Sequence, residues 1–194
     1  PDRIYLVGIS MGGAGAWQIG AHYPHLFAGV APVSAQTDWF RFWPEAFDYP
    51  PRGELPLPVE WIMAMHNPVD LARNFSALYS FSQQSTKCFL GIEHQRDMSA
   101  ALAEFDAPHA DFEDESELGH YIYWKTECWR RAFTRLLAVE RRTPRHIRYT
   151  TRSLRFNRAY WLSIERFAEW GRPASFEAEV KDDGTVEIDS QNAA

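Results

Sequence analysis

One serine of this chain has the neighbours that a nucleophile requires. Ser10 is the centre of Gly8-Ile9-Ser10-Met11-Gly12, a G-x-S-x-G pattern that follows the apolar run 4–7 and precedes a helix-compatible series. A strand, a sharp turn with serine at its tip and then a helix form the context of a nucleophile elbow. We therefore expect Ser10 to act as a nucleophile. The alternative is a tight glycine turn in which Ser10 only caps the helix.

The residues beside Ser10 suit this chemistry. A serine on such a turn is held in a strained backbone conformation, so side chains at positions 8 and 12 are expected to collide with the turn. The start of the following helix adds partial positive charge where an oxyanion would form. The backbone N–H of Met11 is therefore the expected oxyanion donor.

A serine hydroxyl also needs a general base, and histidine suits this role because its pKa lies near neutral pH. The chain has seven histidines. Only His120 lies in a glycine-flanked loop, Gly119-His120, directly after a predicted sheet strand and before a long C-terminal helix. Its loop is expected to open at the same edge of the sheet as Ser10. We predict that His120 is the base and that the other histidines are surface or capping residues.

The elements that must position these residues alternate along the chain. Apolar runs predict strands over residues 4–8, 27–33, 88–92 and 107–113, and periodic patterns predict helices over 12–22, 93–104 and 121–141, with a shorter one from residue 67. Strand and helix alternating through short connections predict right-handed βαβ units. The predicted fold class is thus α/β, a mostly parallel sheet with flanking helices.

Two segments depart from this alternation. Residues 36–65 are rich in aromatics and proline and lack periodicity, so they form either a wall over Ser10 or a loop packed by its own aromatics; we favour the wall. The tail alternates apolar and polar residues, with strands predicted at 147–151 and 160–164 and a hairpin around Asp182-Asp183-Gly184. We expect a catalytic domain over 1–142 and a small antiparallel β-rich appendage over 143–194.

Composition excludes several classes of function. The net charge of −6 disfavours binding to nucleic acid, and the two cysteines, Cys88 and Cys128, form no zinc or redox motif. Cys88 is interpreted as a small buried hydrophobe. Five acids between Asp111 and Glu117 indicate a solvated loop rather than a cation site. No apolar run is long enough to span a membrane, and no metal or cofactor is expected.

The motif around Ser10 and the later Gly119-His120 resemble the α/β-hydrolase fold. The text PDRIYLVGISMGGAGAWQIGAHYPHLFAGVAPVSA is similar to the catalytic domains of prolyl oligopeptidase-type serine peptidases and related esterases. TPRHIRYTTRSLRFNRAYWLSIERF resembles the β-rich tail of some members. The resemblance implies a peptide or ester substrate and the C-terminal half of a larger sheet, so we expect an internal piece of a longer polypeptide.

The same resemblance implies a triad acid that the sequence does not supply. The family places it in a loop after the strand predicted at 88–92, but here Gly91-Ile92 leads directly into a predicted helix, so this loop is expected to be missing. Glu93 and Asp97 are the nearest carboxylates, and neither is assigned. Two hypotheses follow: a serine hydrolase, inactive or weakly active in this form, or a degenerate hydrolase that serves as a binding or scaffolding module.

Overall fold

A parallel sheet organises the N-terminal part of the computed structural model, which describes residues 1–193. Its strands are β1 (Tyr5–Ile9), β2 (Gly29–Val33), β3 (Tyr79–Ser85) and β4 (His109–Asp114), paired in the order β1-β2-β3-β4. All three pairings are parallel. The predicted α/β class with a parallel sheet is confirmed.

The third strand is β3, at residues 79–85, so the prediction of a strand at residues 88–92 is wrong. β3 is almost wholly buried although its sequence, YSFSQQS, is polar. The side chain of Gln83 explains how such a strand is tolerated: its amide donates to the Cys128 carbonyl at 3.0 Å, and its Oε1 accepts from the Arg131 guanidinium at 2.9 Å. Buried polar groups are stable when they are hydrogen-bonded. The apolar run 88–92 instead forms turns after the strand.

Within residues 1–193, five α-helices flank the sheet or extend from it. They are α1 (Met11–His22), α2 (Trp39–Phe47), α3 (Leu57–Met65), α4 (Glu93–Ala103) and α5 (Thr126–Leu136). The helix predicted over 121–141 is shorter, because Lys125 has an extended backbone that separates α5 from a 3-10 turn at Gly119–Trp124. The helix expected from residue 67 is a 3-10 segment, Val69–Phe75. The segment 36–65, for which no periodicity was found, contains α2 and α3.

Apolar side chains fill both faces of the sheet. On one face the cluster includes Trp17 of α1 and Leu102 of α4, and on the other Phe81 of β3 packs with Leu136 of α5. Burial of this apolar surface is the main favourable term in folding. The packing fixes the strand ends from which the site loops emerge.

The tail is an antiparallel structure, as the alternation predicts. β5 (His146–Thr151), β8 (Ala174–Val180) and β9 (Val186–Gln191) form one sheet, and the short β6 (Arg158–Ala159) and β7 (Leu162–Ser163) form another. The amide of Asn74 donates to the carbonyls of Ala21 (2.9 Å) and Thr150 (3.0 Å), which ties the tail to α1. Phe176 and Ile147 belong to the tail's own apolar cluster.

Candidate active site

Ser10 lies at the junction between β1 and α1, where the sequence predicts a sharp turn. Its φ of 54° and ψ of −121° fall in a sparsely populated backbone region. The structure holds this conformation from both sides: the Ser10 N–H donates to the Val33 carbonyl (2.9 Å), and the Ser10 carbonyl accepts from Ala14 (3.0 Å). The end of one strand and the first turn of a helix therefore fix the serine.

At only one of the two motif glycines would a side chain clash with its neighbours. A Cβ on Gly8 would lie 1.9 Å from the carbonyl oxygen of Gly12, whereas a Cβ on Gly12 would meet nothing within 4 Å. The expected collision at position 12 is therefore wrong. The tight position on the helix side is Gly13, where a Cβ would lie 2.8 Å from that of Ala35.

The structure brings Ser10 and His120 together. His120 lies in the 3-10 turn after β4, and its Nε2 is 3.0 Å from the Ser10 Oγ, which is hydrogen-bond distance for a nucleophile and its base. His120 is 7% exposed, and its burial lowers its pKa below the ordinary value of 6.5. The imidazole is therefore neutral at pH 7 and able to accept a proton.

The second ring nitrogen of His120 faces a cysteine. Its Nδ1 lies 3.2 Å from the Sγ of Cys88, a buried residue in the loop after β3. The two loops pack closely because Gly119 has a φ of +53°, and a Cβ there would lie 2.8 Å from the Lys87 carbonyl oxygen. The Phe89 ring covers the imidazole, with 4.4 Å between ring centroids. Sequence reasoning missed Cys88 because it assigned residues 88–92 to a strand.

The loop expected to be missing is present as residues 86–92, and it has no carboxylate. Glu93 and Asp97 lie beyond it on α4. Asp97 is engaged by Arg41, with an Oδ2–Nη2 distance of 2.6 Å. Among the hydrogen bonds within residues 1–193, the side chain of His120 contacts only Ser10 and Cys88, so neither carboxylate serves it.

Met11 is the first residue of α1. The N–H groups of a helix's first turn have no partner within the helix, so that of Met11 is available next to Ser10. Its side chain is exposed. This position suits the expected oxyanion donor, and the role stays a prediction.

A cleft of about 340 Å³ opens beside Ser10. Its other lining residues come from the segment after β2 and the loop after β3: Gln36, Phe42, Glu45, Ala46, Phe47, Phe89 and Leu90. The segment 36–65 thus contributes a wall beside the serine through α2. A larger cavity of about 560 Å³ lies elsewhere, next to Pro1 and Arg141, and includes neither Ser10 nor His120.

Two acids of residues 111–117 are paired with basic side chains. Glu113 pairs with Arg96 at 2.7 Å, and Asp114 pairs with Lys125 at 2.9 Å. Within residues 1–193, no three histidine, cysteine or acidic side chains are grouped to hold a metal ion. In the same part of the chain, no helix has the length and apolar character needed to cross a bilayer.

The fold agrees with what comparison of the whole sequence finds. A family model described as the alpha/beta hydrolase fold matches residues 1–176. This match covers most of the chain, which therefore belongs to the α/β-hydrolase fold family. No curated protein matches the sequence.

Several solved structures are similar to this chain at low identity. A thermostable esterase is 20% identical over 72% of this chain and 32% of its own (TM-score 0.49), and a ferulic acid esterase is 18% identical over 70% and 51% (TM-score 0.48). A putative dipeptidyl aminopeptidase IV from Bacteroides ovatus is 16% identical over 69% of this chain and 19% of its own (TM-score 0.50). The chain thus spans about half or less of the length of these structures.

Proposed function

We propose that this chain belongs to a serine hydrolase that cleaves a peptide or ester bond through an acyl-enzyme on Ser10. The observation that carries the proposal is the 3.0 Å distance between the Ser10 Oγ and the His120 Nε2 at a strained strand–helix junction. The resemblance of residues 1–35 favours a prolyl oligopeptidase-type peptidase or a related esterase. The enzyme acts without a metal or organic cofactor, since serine and histidine supply the nucleophile and the proton transfers.

The geometry supports the following sequence of steps. His120 Nε2 takes the hydroxyl proton as the Ser10 Oγ attacks the acyl carbon, and the Met11 N–H donates to the developing oxyanion. His120 then returns the proton to the leaving alcohol or amine, which departs and leaves an ester on Ser10. A water molecule attacks this ester with His120 as base, releasing the acid and restoring the serine.

The cleft beside Ser10 indicates the kind of group the substrate presents. Three phenylalanines line it, Phe42 and Phe47 from α2 and Phe89 from the loop after β3. Apolar walls with few polar groups bind apolar ligand surface. We propose that the substrate presents an apolar or aromatic group next to its scissile bond.

Hydrolysis of p-nitrophenyl acetate and p-nitrophenyl butyrate tests the proposal. We expect turnover by the chain that falls by roughly 10²-fold or more in Ser10→Ala and in His120→Ala, because each removes a group that takes part in every step. The control is Ser163→Ala, which removes an exposed serine of β7 and should leave the rates unchanged.

A binding or scaffolding module is the second candidate, because the Nδ1 of His120 faces a thiol instead of a carboxylate. Loss of a triad aspartate costs about 10⁴-fold in turnover in a well-studied protease. Equal rates in the wild type, Ser10→Ala and His120→Ala, with all three folded, would contradict the hydrolase and favour this second function.

A further inference from the structure

The side chain of His120 lies between those of Ser10 and Cys88, within hydrogen-bond distance of each. The Ser10 Oγ lies 3.0 Å from one nitrogen of the His120 ring, and the Cys88 Sγ lies 3.2 Å from the other. Cys88 and His120 are 6% and 7% exposed, so water has little access to this contact. In a serine triad the second nitrogen is hydrogen-bonded to a carboxylate, which fixes the tautomer and the orientation of the ring.

The backbone holds the sulfur in this place. The Cys88 N–H donates to the Ser85 carbonyl (3.1 Å), and the Gly91 N–H donates to the Cys88 carbonyl (3.0 Å), so Cys88 lies where two tight turns meet. Gly91 has a φ of +82°, which allows the second turn. Gly119 also lies close to Lys87, so the turn that contains His120 packs directly against the loop that contains Cys88.

We propose that Cys88 is the positioning residue of His120 and occupies the place that a carboxylate takes in a serine triad. This inference rests on the proposed function. The His120 Nδ1–H donates to the Cys88 Sγ, which leaves the Nε2 lone pair directed at the Ser10 hydroxyl. The sulfur neither gains nor loses a proton during the reaction.

A thiol can orient the ring without stabilising its charged form. Burial raises the pKa of the Cys88 thiol above its usual range, so it is uncharged at neutral pH. The imidazolium that forms when His120 takes the serine proton therefore has no anionic partner there. We expect the enzyme to be slow, and a carboxylate at position 88 to accelerate it.

The first test reads the tautomer in the wild-type chain and needs no substrate. Long-range ¹H–¹⁵N NMR of the imidazole should show His120 with its proton on Nδ1 at pH 8. Cys88→Ala should change the resonances of His120. Cys128→Ala, which removes the other buried cysteine, should leave them unchanged. A proton on Nε2 in the wild type would overturn the proposal.

The second test follows ester hydrolysis and its pH dependence in variants of position 88. We expect Cys88→Ala to lower kcat roughly 10-fold with little change in KM, and Cys88→Ser, which keeps an acceptor, to stay within about 3-fold. Cys88→Asp should raise kcat roughly 10-fold or more and move the acid limb of kcat/KM to higher pH, because a carboxylate stabilises the imidazolium.

The outcomes separate this inference from the proposed function. A folded Cys88→Asp variant with kcat and pH profile unchanged, beside a wild type whose activity depends on Ser10, would overturn the role of Cys88 alone. Activity that persists in Ser10→Ala would overturn the proposed function, while the NMR result still decides the Cys88 contact. If Cys88→Asp does not fold, equal kcat values in Cys88→Ser and Cys88→Ala would contradict the proposal.

Discussion

At the scale of single residues, the site depends on how closely two backbones approach at the Ser10 turn. Ser10 adopts a sparsely populated backbone conformation, in which its N–H donates to β2 and its carbonyl accepts from α1. The turn closes so tightly that a Cβ on Gly8 would overlap the Gly12 carbonyl oxygen. In the G-x-S-x-G pattern, therefore, Gly8 has no room for a side chain, whereas Gly12 does.

This difference between the two glycines gives a matched pair of variants. We expect Gly8→Ala to reduce the free energy of unfolding by about 3 kcal/mol or more, because its Cβ overlaps a backbone oxygen that cannot move without opening the turn. Gly12→Ala places its Cβ in open space on α1 and should be neutral or stabilising by up to about 1 kcal/mol. Urea denaturation of both variants measures this, and similar losses in the two would contradict it.

The sequence alone predicted two of the three site residues Ser10, His120 and Cys88. Ser10 and His120 could be identified from the sequence because each has a distinctive local context. The serine lies in a glycine-flanked turn, and the histidine lies in a loop after a strand. Cys88 was not, because an apolar pentapeptide was interpreted as a strand and a cysteine within it as core. Its contact with His120 depends on where β3 ends, and the end of β3 could not be predicted because the residues of this strand are mostly polar.

At the scale of elements, the largest discrepancy is β3. Patterns of hydrophobicity detect strands whose buried residues are apolar, whereas β3 buries serines and glutamines. Among these, Gln83 is hydrogen-bonded to the Cys128 carbonyl and to Arg131. These partners lie far away in sequence, so no local pattern reveals them. The misplaced strand led to the wrong conclusion that a loop is missing.

His22, at the end of α1, is buried against the tail, so the prediction that it is a surface or capping residue is wrong. The His22 ring stacks on Phe156 with 3.7 Å between centroids, and its Nε2 lies 3.1 Å from the Nδ1 of His66. Burial, followed by the charge of His66, lowers the pKa of His22 to about 4. The folded state therefore favours neutral His22, while the unfolded chain has the ordinary value near 6.5.

This shift should make stability depend on pH at the contact between α1 and the tail. Because the folded pKa is depressed, the stabilisation is fully present above pH 6.5 and is lost as the pH falls through about 4. We expect His22 to contribute a loss on the order of 3 kcal/mol over that range. Urea denaturation at several pH values should show a shallower loss in His22→Gln. An identical slope in both proteins would show that His22 is not responsible.

At the scale of the whole molecule, topology explains why distant residues meet. The strands of the main sheet are parallel, so the turn after β1 and the loops after β2, β3 and β4 lie at one edge, where they bring together Ser10, the aromatic wall, Cys88 and His120. This convergence could be predicted from alternating strands and helices. The division of the chain at residue 142 stays a prediction, and contacts of Asn74 join the two parts.

Identification of the acylated residue tests the central claim most directly. A fluorophosphonate probe reacts with a serine that an adjacent base activates, and trypsin then releases Ser10 within the peptide 4–41, which also contains Ser34. Tandem mass spectrometry should find the adduct on Ser10, no adduct in Ser10→Ala, and full labelling in Ser34→Ala. A folded protein that is not labelled, or labelling that persists in Ser10→Ala, would contradict the account.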